Sequence, residues 1–280
     1  MTVSAEHSRR GTISEPSRPR LALRYWHGFV TAIQFLTRLP VSSRSSTSAS
    51  LRLAPLFFPF VGGLVGCVTV GCIGLAELAW PVWIAVLLAL TIDALLTGAL
   101  HEDGLADVCD GFGGGWQRED VLRILKDSRI GTYGTVGLVL AISLRAVCMV
   151  TVVNRYGAEH WLQWVSSIVA ASAVARWMIV MTMVVVPPIA ERESLSKDVA
   201  DRMSWKTFAA SGLGALPPIA VYAYLSPTNA ALAFGLIGIA WLWLAGLVRR
   251  KLQGVTGDCL GCIGCVSQVM FLLGAAARIS

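Results

Sequence analysis

Seven predominantly apolar runs, each of about 18–25 residues, punctuate this 280-residue chain. They cover 54–79, 81–100, 131–153, 161–186, 207–225, 229–248 and 258–277. A helix rises about 1.5 Å per residue, so each run can cross a hydrocarbon core about 30 Å thick. The pattern predicts an all-α integral membrane protein, a polytopic helical bundle of about seven transmembrane helices. The earlier segment 21–39 is amphipathic and carries Arg24, His27 and Arg38, which predicts an N-terminal helix lying in the membrane interface. Pro217-Pro218 falls inside the fifth run and predicts a kink there.

The polar stretches between the runs alternate in charge. Residues 1–53 are Arg-rich, 101–130 hold Arg118, Arg123, Lys126 and Arg129, and 187–206 hold Arg192, Lys197, Arg202 and Lys206. The stretch 249–257 opens on Arg249-Arg250-Lys251. The turns at Trp80-Pro81 and Ser226-Pro227-Thr228 are uncharged, and 154–160 hold one arginine, Arg155. The positive-inside rule therefore places the N-terminus and the basic loops in the cytoplasm and the C-terminus outside. Residues 1–20 are polar, with Arg9, Arg10, Arg18 and Arg20 and no apolar stretch before a cleavage site, and read as a disordered cytoplasmic tail. Ser42–Ser50 reads as a flexible linker by composition, and 21–280 as a single transmembrane domain.

Composition sharpens this picture. The chain is 55% hydrophobic and 14% charged, where a soluble domain carries about 25% charge, so much of its apolar surface must face lipid. Its net charge of +6 is scattered between the apolar runs, which suits anionic lipid headgroups and argues against nucleic acid. Seven cysteines, mostly inside apolar runs, give no disulfide framework. Cys259, Cys262 and Cys265 have a metal-like spacing but no fourth ligand nearby; alternating with Gly261 and Gly264, they read as small residues that let helices approach. No internal repeat is evident, which weakens a transporter reading, and oligomerisation is left open.

The chemistry concentrates in 101–130. Asp103, Asp107 and Asp110 are spaced by four and three, which puts three carboxylates on one stripe of a helix. Like charges so arranged repel unless a cation lies among them, and Mg²⁺ carrying phosphate is the expected cation. Gly111 is a natural helix stop, and Gly113 and Gly114 would let backbone N–H groups approach an anion. A second helix is predicted from about Arg118 to Asp127, bringing Lys126, Asp127 and Arg129 to the same surface as the stripe. Carboxylates for a metal and basic groups for phosphate are the two components of phosphoryl-type transfer. Glu102, Glu119 and Asp120 read as a solvated, salt-bridged cap, and Thr256-Gly257-Asp258 as a helix start with Thr256 or Asp258 as its cap. Asp93, Arg145 and Arg176 fall inside spans and must face the bundle interior, either paired with one another or facing substrate.

These residues carry a resemblance. His101-x-Asp103-Gly-Leu-Ala-Asp107-x-x-Asp110-Gly111, followed by Lys126-Asp-Ser-Arg-Ile-Gly131, resembles the signature of cobalamin synthase, or adenosylcobinamide-GDP ribazoletransferase. Gln34-Phe-Leu-Thr-Arg-Leu-Pro40, Phe58-Pro-Phe-Val-Gly62, Arg176-Trp177 and Gly254-x-Thr-Gly-Asp258-x-Leu-Gly261 resemble its other motifs, in the same order. The resemblance implies a multi-pass enzyme of the bacterial cytoplasmic (inner) membrane, with a catalytic loop, 101–130, facing the cytoplasm. It would join adenosylcobinamide-GDP to α-ribazole or its 5′-phosphate, giving adenosylcobalamin or its phosphate and releasing GMP, with Mg²⁺ as cofactor. On this reading Asp103, Asp107 and Asp110, with Asp127, hold the metal, while Lys126, Arg129, Gly113 and Gly114 bind phosphate. His101 or one aspartate takes the ribazole proton, and Asp258 approaches across the bundle. Asp107-x-x-Asp110-Gly111 also matches the opening of the CDP-alcohol phosphotransferase motif, without the rest of it, so a phospholipid synthase is the alternative. Two departures from the family stand out: Glu102 replaces an apolar residue, and Gly264 and Gln268 lie where acidic or amide side chains are frequent.

Overall fold

A computed structural model of the chain describes residues 21–41, 48–189 and 203–279. The expected tail 1–20, most of the linker and most of the basic stretch 187–206 lie outside the described residues. Among those described there are helices and a single β-bridge, Pro188 to Val255, but no strand.

The amphipathic segment folds as α1 (Leu21–Leu36). A short α2 (Ser48–Leu53) takes up the end of the predicted linker and runs through a 3₁₀ turn at Ala54–Phe57 into α3 (Phe58–Ala76). There follow α4 (Val82–Thr97), α5 (Leu100–Gly114), α6 (Arg118–Ile124), α7 (Thr132–Tyr156) and α8 (Trp161–Val185). The last four are α9 (Trp205–Gly212), α10 (Leu216–Leu225), α11 (Pro227–Leu252) and α12 (Gly257–Ala276). Five helical stretches are long and apolar enough to cross a membrane, and seven crossings result if each of two bent pairs counts as one. The chain is thus a multi-pass helical membrane protein.

The bent pairs are where the structure departs from straight spans. At the junction of α4 and α5 the axis turns by 87°. Gly98 (φ +66°) and Ala99 (φ +53°) are both left-handed, which ends α4 and redirects the chain. Residues 101–114 are consequently a helix rather than a loop, turned 87° from α4 and packed along the first halves of α7 and α12. The fifth run breaks by 60° between α9 and α10. The break precedes the proline pair, which occupies the first turn of α10, where a missing N–H costs nothing.

Burial ranks the helices. In α8 and α12, 72% and 78% of the apolar window is buried, against 28% in both α7 and α11, so α8 and α12 form the centre. Small residues make that possible. A Cβ on Gly62 would lie 2.5 Å from the Ser172 carbonyl oxygen, and one on Gly66 2.9 Å from Val169 Cα, so α3 and α8 touch backbone to backbone. The interior divides into two apolar clusters, one around Val61, Leu105, Ile179 and Ile263, the other around Ile73, Met149, Ile168 and Phe271. Between them α3, α4, α7, α8 and α12 each contribute buried polar residues: Thr69, Asp93, Arg145, Ser172, Arg176 and Gln268.

The chain connections gather at two ends. At one, Lys251 Nζ donates to the carbonyls of Phe112 and Gly115, and Arg118 Nε donates to the Leu252 carbonyl. At the other, Arg155 and Asn229 donate to the last carbonyls of α12, between Gly274 and Ala277. Arg155 is therefore a C-terminal helix cap, opposing the negative end of the dipole.

Candidate active site

All three aspartates of the stripe lie on α5, as their spacing predicts. The helix does not stop at Gly111. That residue is buried, and a Cβ there would meet Leu125 Cδ2 at 3.2 Å, so its role is to let α6 lie close against α5. As a result Gly113 and Gly114 belong to the last turn of α5, where N–H groups point back into the helix. A helix C-terminus is also the negative end of the dipole, so this geometry does not present the two glycines as an anion cradle. The positive group at that end is Lys251, whose Nζ donates to the Phe112 and Gly115 carbonyls.

The aspartates separate by environment. Asp103 is exposed and lines a pocket of about 120 Å³, together with His101 and Asp258. The floor of that pocket is apolar and includes Phe58, Ile179 and Met183. Asp258 reaches it because α12 crosses α5 at two glycines: a Cβ on Gly104 would stand 2.6 Å from the Asp258 carbonyl oxygen and 3.2 Å from Gly261 Cα. Thr256 is the N-cap of α12, accepting from Cys259 N at 3.2 Å, which leaves Asp258 in the first turn, where a negative charge is favoured. Asp107 lies one helical turn beyond Asp103 and is half-buried.

Asp110 is engaged differently. Its carboxylate oxygens accept from Gly131 N at 2.7 Å and Gly134 N at 2.8 Å, the first turn of α7. A Cβ on Gly131 would lie 2.5 Å from Asp110 Oδ1, so glycine is required for this approach. Asp127 and Arg129 pair with each other at 2.6 Å, and Asp127 Oδ1 also accepts from the Arg129 backbone N–H. The hydrogen-bonded Arg129 guanidinium holds the Asp127 carboxyl down at about 2. Their expected separate roles, metal and phosphate, thus meet in a single exposed ion pair, while Lys126 remains exposed.

Glu102 is corrected from a surface cap to an interior group. It accepts from Arg145 Nη1 at 3.1 Å, and Arg145 Nη2 pairs with Asp93 at 2.7 Å, so one guanidinium joins α4, α5 and α7. Asp120 does form the expected exposed cap pair, with Arg123 at 3.1 Å. Arg176 donates to the Ser172 carbonyl at 3.3 Å. At the two departures in the last span, Gly264 leaves room for the His101 ring, 2.9 Å from where a Cβ would be, and Gln268 donates to Ser172 Oγ at 3.0 Å. His101 is 5% exposed, and its Nε2 makes no hydrogen bond among the described residues.

Among the described residues no three acidic, histidine or cysteine side chains form a ready metal cage, which also sets aside the cysteine trio. Mg²⁺ does not need one. It is usually held by one or two carboxylates, with waters and substrate phosphates completing the octahedron. Asp103 and Asp107, hard oxygen donors one turn apart beside Asp258, fit that requirement.

Fold and site together define a polytopic helical membrane protein with an acidic pocket at one end of its bundle. The chain belongs to the cobalamin-5-phosphate synthase family, whose model matches residues 28–276. Its relatives include the adenosylcobinamide-GDP ribazoletransferase of Leptospira interrogans, 34% identical over 89% of this chain and 94% of its own length. The enzymes of the same name from Ralstonia pickettii and Shewanella frigidimarina are each 36% identical, over 91% and 88% of this chain and 97% and 93% of their own lengths. No solved structure matches the chain. Family membership sets aside the phospholipid-synthase and transporter readings.

Proposed function

We propose that the chain is an adenosylcobinamide-GDP ribazoletransferase. It would transfer the cobinamide-phosphate group of adenosylcobinamide-GDP to a free ribose hydroxyl of α-ribazole, or of its 5′-phosphate, with release of GMP. The observation that carries this reading beyond kinship is the pocket where His101 and Asp103 of α5 meet Asp258 of α12. Distant parts of the sequence supply acidic and imidazole groups to one small site.

Asp103 and Asp107 would hold Mg²⁺, which when bound supplies charge neutralisation at the diphosphate. The diphosphate is already an activated donor, so the protein's work is positioning. Asp110 fixes the start of α7 against α5. Lys126, exposed beside the site helix pair, is a cation suited to phosphate oxygens. Asp258 or His101 would accept the proton of the attacking ribose hydroxyl as the new P–O bond forms and the bond to GMP breaks.

Loop charges support a cytoplasmic site, a cytoplasmic N-terminus and an external C-terminus in the inner membrane. The end of the bundle that carries α5 and α6 also carries Arg118, Arg123, Lys126 and Arg249-Arg250-Lys251.

The test supplies purified protein with adenosylcobinamide-GDP, α-ribazole and Mg²⁺ and follows GMP by chromatography. Stoichiometric GMP and cobalamin are expected, with loss of both in EDTA and in Asp107→Asn. An inert wild-type protein under these conditions, or full turnover without divalent metal, defeats the corresponding part of the proposal.

A further inference from the structure

We propose that Arg176 is a positioning residue of this site: it binds the bare Nε2 of His101, so that the ring presents Nδ1–H to the pocket as a hydrogen-bond donor. This deepens the transfer reaction proposed above, on which it rests, by dividing the roles of His101 and Asp258. Asp258 takes the proton, and His101 stabilises charge on the phosphoryl oxygens.

The setting of the ring decides which nitrogen the pocket meets. His101 lines the pocket with Asp103 and Asp258, yet only 5% of the residue is exposed. Its Cδ2 lies 2.9 Å from where a Cβ on Gly264 of α12 would stand, and Ile179 Cδ1 meets the same point at 3.0 Å. Ile179 follows Arg176 by three residues, on the same face of α8. Nε2, on the Cδ2 side of the ring, is enclosed. The Cδ2–Nε2 edge therefore faces the interior, and Nδ1, on the opposite edge, is left to face the pocket.

Hydrogen-bonding capacity then fixes the proton. Four enclosed atoms of the polar interior make no hydrogen bond among the described residues: Arg145 Nε, Arg176 Nε, Glu102 Oε2 and His101 Nε2. The two arginine nitrogens can only donate, and a carboxylate oxygen can only accept. With a lone pair on Nε2 the set is matched, two donors to two acceptors, in direct contact or through a bridging water. With a proton there, three donors face one acceptor atom, in an interior where an unmade bond carries the full desolvation penalty. Charge gives the same answer. Arg145 pairs with Asp93 and Glu102, whereas Arg176 donates to the Ser172 carbonyl and pairs with no carboxylate among the described residues. Of the charged groups around the imidazole, Arg176 acts on it most strongly. A guanidinium favours a lone pair over an N–H pointed at it.

A neutral imidazole with a bare Nε2 carries its proton on Nδ1. That nitrogen cannot take a second proton from the attacking hydroxyl without making an imidazolium among these donors. The role falls to Asp258, which lines the same pocket from α12. As the ribose oxygen bonds to phosphorus, its proton passes to the Asp258 carboxylate and the P–O bond to GMP breaks, GMP keeping the electron pair. Nδ1–H donates to a non-bridging oxygen throughout and is not transferred.

The test has a spectroscopic and a kinetic arm, both on the full-length protein in detergent. The chain has four histidines, so ¹⁵N-histidine labelling gives few signals, and His101 is assigned by its absence from the His101→Asn spectrum. The wild type is expected to carry the proton on Nδ1, Arg176→Lys to keep it there, and Arg176→Met to move it to Nε2. In the kinetic arm, the amide of His101→Asn can donate from near the Nδ1 position but cannot accept a proton. It is expected to keep kcat within about ten-fold of the wild type, while His101→Ala loses about a hundred-fold. A wild-type proton on Nε2, or His101→Asn as slow as His101→Ala, overturns the proposal and leaves the transfer reaction standing. An unchanged tautomer in folded Arg176→Met overturns the part given to Arg176. A wild type that releases no GMP overturns the reaction and the catalytic roles with it, while the spectrum still decides the tautomer.

Discussion

Asp110 and Asp103 belong to one acidic stripe, yet the structure predicts that they fail in different ways when replaced. Asp110 accepts two backbone N–H groups at 2.7 and 2.8 Å, both at the positive end of α7. A hydrogen bond to a charged group contributes about 1.5–3 kcal/mol, and a half-buried carboxylate belongs at the low end of that range. Asp110→Ala is therefore expected to lose about 3 kcal/mol of stability, and Asp110→Asn, which keeps one acceptor oxygen, about half of that. Asp103 is exposed at the pocket mouth, so Asp103→Asn is expected to stay within about 0.5 kcal/mol of the wild type while losing transfer. The assay is equilibrium unfolding in mixed detergent–SDS micelles, followed by tryptophan fluorescence, with GMP release measured on the same preparations. An Asp110→Ala protein that is inactive but as stable as the wild type refutes the capping role and returns Asp110 to direct chemistry.

Three further outcomes follow from the interior and the surface. Arg145→Met leaves Asp93 and Glu102 buried without their cation and should cost about 3–5 kcal/mol in the same unfolding assay, whereas Glu102→Leu, which leaves the Arg145–Asp93 pair intact, should cost far less. Gly62→Val forces α3 away from α8 at Ser172 and should cost about 1–3 kcal/mol, seen as a lower monodisperse yield on size exclusion. The Asp127 carboxyl is held at about 2 by Arg129, below its ordinary 3.8. A lowered value means the ion pair is fully formed above pH 4 and is lost only as pH falls through about 2. Asp127→Asn should therefore leave the shape of the pH–rate profile between pH 6 and 9 unchanged, and a displaced inflection would contradict the pairing.

What could be read from the sequence follows a physical division. Membrane crossing is encoded by length and apolarity, so the positions of the spans were readable, and the stripe on α5 follows from its 3.6-residue period alone. The bend between α4 and α5 was not readable, because Ala99 has no local preference for the left-handed conformation that it adopts. Gly111 misled for the opposite reason: glycine ends many helices, but here its missing side chain admits Leu125 and the helix continues. Asp110 as a cap for α7 depends on N–H groups 21 and 24 residues away, beyond any local pattern. Glu102 looked like a surface change because its partner, Arg145, lies 43 residues on and inside a span.

The bend also explains how a membrane protein carries out polar chemistry at its edge. Were α4 and α5 one straight helix, Gly104 would not meet the start of α12. Turning by 87° from α4 sets α5 alongside the first halves of α7 and α12, where Gly104 meets Asp258 and Gly261. Three polar ties hold it there: Glu102 to Arg145 at its start, Asp110 to the first turn of α7, and Lys251 to the carbonyls that close it. Two of these ties end on α7 and the third on α11, so the carboxylates are carried by the bundle. A site built this way needs no preformed metal cage. On the proposed reading, Asp103 and Asp107 would hold Mg²⁺ together with the incoming diphosphate, and their positions are fixed by the bundle before either arrives.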